Sequence, residues 1–549
     1  MESLRVGRRH RLNVAILLLA AAISAQAAPD DLVGAGRKLY LEGVGLDGAP
    51  VSATVQGDVA ASGTMLACVG CHKRSGLGTY EAGLRALPVT APALFGSDTR
   101  MRASLARSRQ PYTDETLARA ITQGIASDGR LLDPLMPRYR LTAANLQALA
   151  AYLRVLGAEP DPGVSETELD LVTIVTANAP ASEREAVSAV VQRYAETING
   201  GTRQEQRRAA ASRRHVYGEK HARSYRQWNL SVWTLEGTPA GWPEQLEKMY
   251  QARPPFAVLS GAAGPDWPVI HDFCESRKLP CILPVTRLPV ETGATQYTIY
   301  YSAGVRLEAR VTARSIADTY VDPEARILVV YIDDALGRAA VEAFAAALPE
   351  ERRTYLRRRP MAPDSKPSSR DWKNIIRRER PELLVAWLAP DQLQTMTSIA
   401  AHAAALPSRI YTASGFSDWL SIRALPVFEE RVHHVYPYSL AAPGVVAFPR
   451  EEAWLNHQGL GHLDKIAAAG ALFACHATGE AMAGMADNYS REYLIESLEH
   501  MLDGSRMLTM FPLTTLGTGQ RFLAKGAHVV RLARDAGAFR YVSTDWIQP

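Results

Sequence analysis

Five consecutive residues constrain this chain more than anything else in it: Cys68-Val69-Gly70-Cys71-His72. Two thiols three positions apart lie on one side of a helical turn, and the next residue adds an imidazole to that turn. In this C-x-x-C-H spacing the thiols form thioether bonds to haem vinyl groups and the histidine lies under the iron. A redox-active dithiol of the thioredoxin kind would need a preceding strand and a helix opening at the first cysteine. The sequence around Cys68 is polar and Gly-rich instead. One covalently attached haem c is therefore expected, anchored at Cys68 and Cys71, with His72 as the proximal iron ligand.

The second axial ligand is expected from later in the same block, and methionine is the soft choice that raises a haem potential. Met136 lies in Leu132-Asp133-Pro134-Leu135-Met136-Pro137-Arg138-Tyr139, where two prolines exclude a helix. Met65 and Met101 compete with it. Met65 is too near the attachment cysteines to reach the opposite haem face, and Met101 sits in an Arg-rich segment that reads as solvated helix. With both axial positions filled, one-electron transfer is expected in preference to catalysis.

Arg5, Arg8, Arg9 and Arg11 precede an apolar run from Val14 to Ile23 that ends in Ala25-Gln26-Ala27-Ala28. That pattern predicts a cleaved secretory signal peptide over residues 1–28 and a mature chain that is soluble and periplasmic. The sequence reading finds no later stretch of membrane-spanning length. In an oxidising compartment Cys274 and Cys281, seven positions apart, read equally as a disulfide or as two free thiols. Cys475-His476 lacks an upstream partner, since Leu472 stands where a cysteine would be, and reads as a buried helical thiol.

With 549 residues the chain is too long for a single core. Gly157-Ala158-Glu159-Pro160-Asp161-Pro162-Gly163 cannot continue a helix and reads as an exposed break. This divides the mature chain into residues 29–157, a linker over 158–168, and residues 169–549. In the last part short β-rich apolar runs alternate with helical segments, the pattern of parallel sheets covered by helices on both faces. The formal net charge of +4 gives no reason to expect nucleic acid as a partner. Basic stretches at Arg203 to Arg226 and at Arg352, Arg353, Arg357, Arg358 and Arg359 read as solvated surface or as a patch for an acidic redox partner.

Residues from about Asp31 to Leu156 resemble a class I cytochrome c domain. The resemblance rests on Gly36 and Tyr40 in a first helix, Cys68 to His72, Ala91-Pro92-Ala93-Leu94, the Met136 loop, and a last helix with Tyr152 and Leu153. It implies an all-α fold in which the first and last helices cross at Gly36 and the Pro92 carbonyl holds the other ring N–H of His72. The long segment Gly43 to Leu66 departs from the family pattern and is expected over a haem edge.

Residues from about Leu169 to Gln548 resemble the type I periplasmic binding proteins, the group that includes branched-chain amino-acid receptors. Phe256 to Gly261, Leu279 to Thr286 and Ile327 to Ile332 carry that resemblance. It implies a two-lobed α/β fold with a small ligand between the lobes, and puts Ser260, Gly261 and Thr286 at the ligand cleft. Ala335-Leu336-Gly337 lacks the expected tyrosine and Gly415-Phe416 the expected carboxylate, so an ordinary α-amino acid is not expected as ligand. Trp387, Tyr411 and Phe416 read as cleft lining or as packing.

Together these readings predict an exported mono-haem c-type cytochrome that exchanges electrons with a periplasmic redox partner protein, coupled to a module that binds a small molecule or docks a partner. The alternative is a periplasmic ligand-binding receptor or sensor whose haem reports redox state. The sequence carries no hydrolytic motif and no phosphate-cradling loop.

Overall fold

A computed structural model describes residues 29–549 apart from 82–83, 97–108, 212–225, 294, 398–405, 418–427, 429–430, 441–447, 486–487, 504–509, 518, 536–537 and 544–545. The leader predicted over 1–28, Met101 and most of the basic stretch from Arg203 to Arg226 lie outside the described residues. The chain divides into two compact units, Met1–Glu159 and Pro160–Pro549.

The first unit is built on helices α1 (Pro29–Glu42), α2 (Val69–His72), α3 (Ala91–Phe95), α4 (Asp114–Gln123) and α5 (Ala143–Val155). Helix α4 starts at a reciprocal cap between Thr113 and Thr116 and stops at Gly124, whose φ of +70 closes the last turn. Helices α1 and α5 pack face to face, and Gly36 is the reason they come so close. A Cβ there would lie 1.9 Å from the Ala148 carbonyl oxygen and 2.9 Å from the Tyr152 Cβ. Leu39, Tyr40, Leu94, Leu117, Ile121, Leu149, Tyr152 and Leu153 fill the core between the helices.

The all-α expectation for this unit is corrected. Residues 43–66 supply strands β1 (Ser52–Val55) and β2 (Val59–Ser62), an antiparallel hairpin. β1 also pairs with β5 (Arg138–Arg140), Ala53 lying opposite Tyr139, and β3 (Thr79–Glu81) pairs with β4 (Leu84–Ala86). The unit is thus helical with a three-stranded sheet and a two-stranded ribbon. The physical reason is that an insertion too long for a tight turn satisfies its backbone groups on the strand that follows the Met136 loop.

The second unit is two-lobed. In one lobe a parallel sheet runs β16 (Phe522–Ala524), β10 (Thr298–Ser302), β9 (Cys281–Ile282), β8 (Ala257–Ala262), β6 (Glu168–Thr176) and β7 (Gln227–Leu235). In the other, β12 (Leu356–Met361), β11 (Ile327–Ile332), β13 (Leu383–Trp387), β14 (Arg409–Ala413) and β15 (Val432–Tyr436) are parallel, and β17 (His528–Asp535) and β18 (Ala538–Ser543) close the sheet antiparallel. Chain order and sheet membership make the chain cross between lobes after β10, after β15 and between β16 and β17.

Strand limits match the apolar runs where burial is on both faces, as at Leu383–Trp387, which is buried throughout. Helix α6 (Ala181–Ala211) follows β6. By length and apolarity helix Lys465–Gly484 would qualify to cross a membrane. Its apolarity is accounted for by packing, since Ala468, Leu472, Phe473 and Cys475 lie in the core of the first lobe.

Candidate functional sites

The first site is built on a single helical turn. Cys68 caps α2, and its carbonyl accepts the amides of Cys71 at 3.3 Å and His72 at 2.9 Å. The turn ends at Lys73, whose φ of 61 reverses the chain and whose carbonyl accepts the Tyr40 hydroxyl at 2.6 Å. Helix α1 therefore anchors the turn that carries the motif.

His72 Nδ1 lies 2.9 Å from the Leu87 carbonyl oxygen. A carbonyl oxygen only accepts, so Nδ1 carries the proton in this bond and the Nε2 lone pair is left unspent among the described residues. Burial holds the imidazole below its ordinary pKa, which keeps the ring neutral. The carbonyl assigned by resemblance to Pro92 is corrected to Leu87. The Pro92 carbonyl accepts the Gly96 amide at 3.2 Å, because it lies inside the helical turn α3.

Burial pushes the Cys68 thiol up to about 11, with the neighbouring Tyr139 hydroxyl partly opposing it. Cys71 is exposed. The Tyr139 hydroxyl donates to the Leu66 carbonyl at 2.7 Å. That bond ties the segment three residues after Met136 to the segment two residues before Cys68.

Met136 is half-buried in a loop that Arg138 holds together. The Arg138 guanidinium donates to the carbonyls of Leu132 at 2.9 Å and Met136 at 2.5 Å. It has room to do so because Gly124 has no side chain; a Cβ there would fall 2.1 Å from the guanidinium carbon. The hairpin adds a further tie, Gln56 donating its amide to the Pro134 carbonyl at 3.0 Å. Met65, by contrast, is 84% exposed.

The second site lies in the two-lobed unit, where Arg287 and Glu308 meet the segment that follows β14. Ser260 sits at a bulge of β8 against β6, with φ of 56, and its buried hydroxyl has no partner among the described residues. A Cβ at Gly261 would come within 2.5 Å of the Trp267 ring, so the bulge leaves no space for a side chain there. Thr286 donates its hydroxyl to the Gly264 carbonyl at 2.9 Å and accepts the Leu288 amide at 3.2 Å. Of the aromatic candidates, Trp387 and Tyr411 are fully buried in the second lobe's core, and Phe416 stacks on Trp387 at 5.8 Å.

Beside Thr286 the structure gathers a charged cluster that the sequence reading missed. Arg287 Nη2 donates to Glu183 Oε1 at 2.7 Å, within the first lobe. Its Nη1 reaches the Gly415 carbonyl at 3.4 Å, which follows β14 of the other lobe. Glu308, in the first turn of the helix Val305–Thr319, accepts the Ser414 hydroxyl at 2.9 Å and the Gly415 amide at 3.0 Å. Burial pushes the Glu308 carboxyl up to about 7, against those two hydrogen bonds and the Arg287 charge. Tyr438 feels Glu308, Arg287, Asp464 and Glu183, and burial raises its hydroxyl well above the usual range. Around it stand Phe511, Phe448 and Tyr301, the first two with ring centroids 5.3 and 5.8 Å from Tyr438. Glu183 and Arg287 are 104 positions apart, and Glu308 and Gly415 are 107 apart, so no local pattern announces them. The one available signal was the adjacency of Arg287 to Thr286.

No family model matches the chain, and no curated protein matches it either. Solved structures do. A branched-chain amino-acid ABC transporter protein from Thermus thermophilus with bound valine is 12% identical, covers 70% of this chain and 97% of its own, and superposes with a TM-score of 0.53. A fatty acid ABC transporter substrate-binding protein from Thermomonospora curvata is 15% identical over 71% of this chain and 95% of its own, with a TM-score of 0.49. The likeness to the first is one of fold: the second unit has the two-lobed α/β architecture of the type I periplasmic binding proteins.

Proposed function

We propose that the protein is an exported, periplasmic ligand-binding receptor whose two-lobed unit closes on a small molecule, and whose first unit carries one haem c that reports redox state. The observation that carries the receptor reading is Arg287. It leaves the strand ends of one lobe and meets the Gly415 carbonyl of the other, which is where a ligand held by both lobes would lie.

The haem part rests on the donor set. Cys68 and Cys71 project from one turn as anchors, and His72 is oriented by Leu87 with Nε2 free to bind iron. Met136 is the proposed second iron ligand, in a loop that Arg138 and Gln56 hold in place. When bound, the haem would supply one-electron transfer. The chain's part is to hold two anchors, fix an imidazole tautomer, and keep the loop carrying Met136 tied to the helix α2 segment through Tyr139.

A second reading, an electron-transfer protein for a periplasmic redox partner, is favoured by the same His72 geometry. One experiment separates the two. Full-length protein matured in a host able to attach haem is titrated with small-molecule panels while its thermal unfolding is followed, once oxidised and once reduced. The receptor reading expects a ligand that raises the unfolding temperature, because a ligand bound only to the folded form must do so, and expects the affinity to differ between redox states. Affinity independent of redox state, with rapid electron exchange, would favour the carrier. Spectra of Met136→Ala check the ligation: loss of the long-wavelength sulfur–iron band is expected, and an unchanged spectrum would remove Met136 from the role.

A further inference from the structure

We infer that the inserted hairpin, strands β1 and β2 with the turn between them, is a strap that positions Met136, holding its loop so that small outside ligands do not displace the sulfur from the haem iron. The inference rests on the haem reading above and gives the insertion a role in it.

The loop carrying Met136 is restrained in two ways. Bonds within the loop set its shape. Asp133 Oδ1 accepts the Leu135 amide at 2.9 Å, the Asp133 carbonyl accepts the Met136 amide at 3.0 Å, and the Arg138 guanidinium spans the carbonyls of Leu132 and Met136. None of these bonds joins residues more than six positions apart, so a loop that swung away would carry all of them with it.

Position requires bonds to something outside the loop. The Leu132 amide supplies one, donating to the Gly124 carbonyl at 2.7 Å where α4 ends. From Leu132 to Arg140 the other backbone bonds to distant segments, among the described residues, run to the insertion. Gln56 donates its amide to the Pro134 carbonyl at 3.0 Å, two residues before Met136. Two and three residues after Met136, strand β1 pairs Thr54 with Arg138 and Ala53 with Tyr139. The hairpin therefore grips the chain on both sides of the methionine.

The strap is itself anchored. The Gly43 carbonyl, just past α1, accepts the Val51 amide at 2.9 Å, and the Val51 carbonyl accepts the Gly63 amide at 3.0 Å. A Cβ at Gly43 would lie 2.7 Å from the Gly63 carbonyl oxygen, so both ends of the hairpin meet where α1 stops. At the tip Gln56 has a φ of +53 and Gly57 a φ of +95. A residue with a Cβ adopts that left-handed conformation at a steric cost, and in it the Gln56 amide reaches across to Pro134.

A thioether is a neutral ligand, and an outside donor competes with it whenever the loop leaves the iron. Tethering keeps the effective concentration of the sulfur high, and that concentration falls as the tether loosens. The strap thus keeps the haem a redox centre closed to small ligands, in line with the reporter role proposed above.

The test uses full-length protein with haem attached and imidazole as the competing ligand. The long-wavelength sulfur–iron band of the oxidised form is followed as imidazole is added, and amide exchange at Leu135 and Met136 is measured on the same proteins. In one variant Gly-Gly replaces Ser52–Ser62, closing Val51 onto Gly63, which already share a hydrogen bond. Gln56→Pro removes the donor at the tip and forbids its positive φ, whereas Gln56→Gly keeps the donor. Excision is expected to lower the imidazole concentration at half displacement by about tenfold or more, as a loosened tether requires. Gln56→Pro should lower it less, Gln56→Gly should leave it in place, and exchange should quicken in the first two variants only. An unchanged midpoint after excision, with the sulfur–iron band present in wild type, would overturn the strap and leave the haem reading standing. A midpoint that falls without faster exchange would also overturn it, since the hairpin would then act other than by holding the loop. Wild type without the band would remove Met136 as ligand and the inference with it. Should the excised chain fail to fold, the contrast between Gln56→Pro and Gln56→Gly decides in its place.

Discussion

Glu308 is a carboxyl held in an environment that disfavours its charge. A carboxyl taken out of water favours its neutral form, and here two hydrogen bonds to the charged form only partly oppose that preference. The folded protein thus keeps the Glu308 proton to about pH 7, whereas the unfolded chain releases it near 4.5. Its contribution to stability is fully present below that lower value and is lost as pH rises to the upper one, at a rate of about 1 kcal/mol per pH unit in between. Denaturant unfolding of wild type and Glu308→Gln across this window checks it. Wild type should lose stability relative to the variant as pH rises, and parallel curves would count against the burial of this carboxyl. Tyr139 presents the opposite case. Its hydroxyl is buried but satisfied by Leu66, so it serves as a tie between two segments and not as a titrating group.

At the scale of elements, the crossing of α1 and α5 depends on one missing side chain. Gly36→Ala would drive a methyl into the Ala148 carbonyl, a backbone atom that cannot swing away. A cost of about 1–3 kcal/mol is expected from such overpacking, read as a lower denaturation midpoint for the first unit. The crossing at Gly36 was expected from the family resemblance of residues 31–156, and not from the pattern of the helix itself. The β1–β2 hairpin was not legible, because its strands are four residues each and their partner β5 lies far along the chain. The stretch around Arg357 shows the same limit. Arg352, counted with it as surface charge, is buried and donates to the carbonyls of Asp322 and Tyr320. Arg357, Arg358 and Arg359 are exposed on β12, an edge strand, where charge discourages pairing with another chain.

For the whole molecule, two units with separate cores predict two unfolding events. Calorimetry of the full chain should resolve two transitions, with Gly36→Ala lowering one and leaving the other in place. A single transition that moves as a whole would mean that the units unfold cooperatively. The sequence by itself determined the features that depend on neighbours in the chain: the C-x-x-C-H turn, the Pro-bounded Met136 loop, the break after Gly157, and the alternation that forces parallel sheets into the second unit. These follow from spacing, from backbone restrictions and from periodicity, which act over a few residues. Only the tertiary structure decided that Leu87 and not Pro92 faces His72, that the inserted segment pairs with β5, and that Glu183, Arg287, Glu308 and Gly415 meet. Those contacts join positions more than a dozen to more than a hundred residues apart, and burial, which sets their chemistry, exists only once the chain has folded around them.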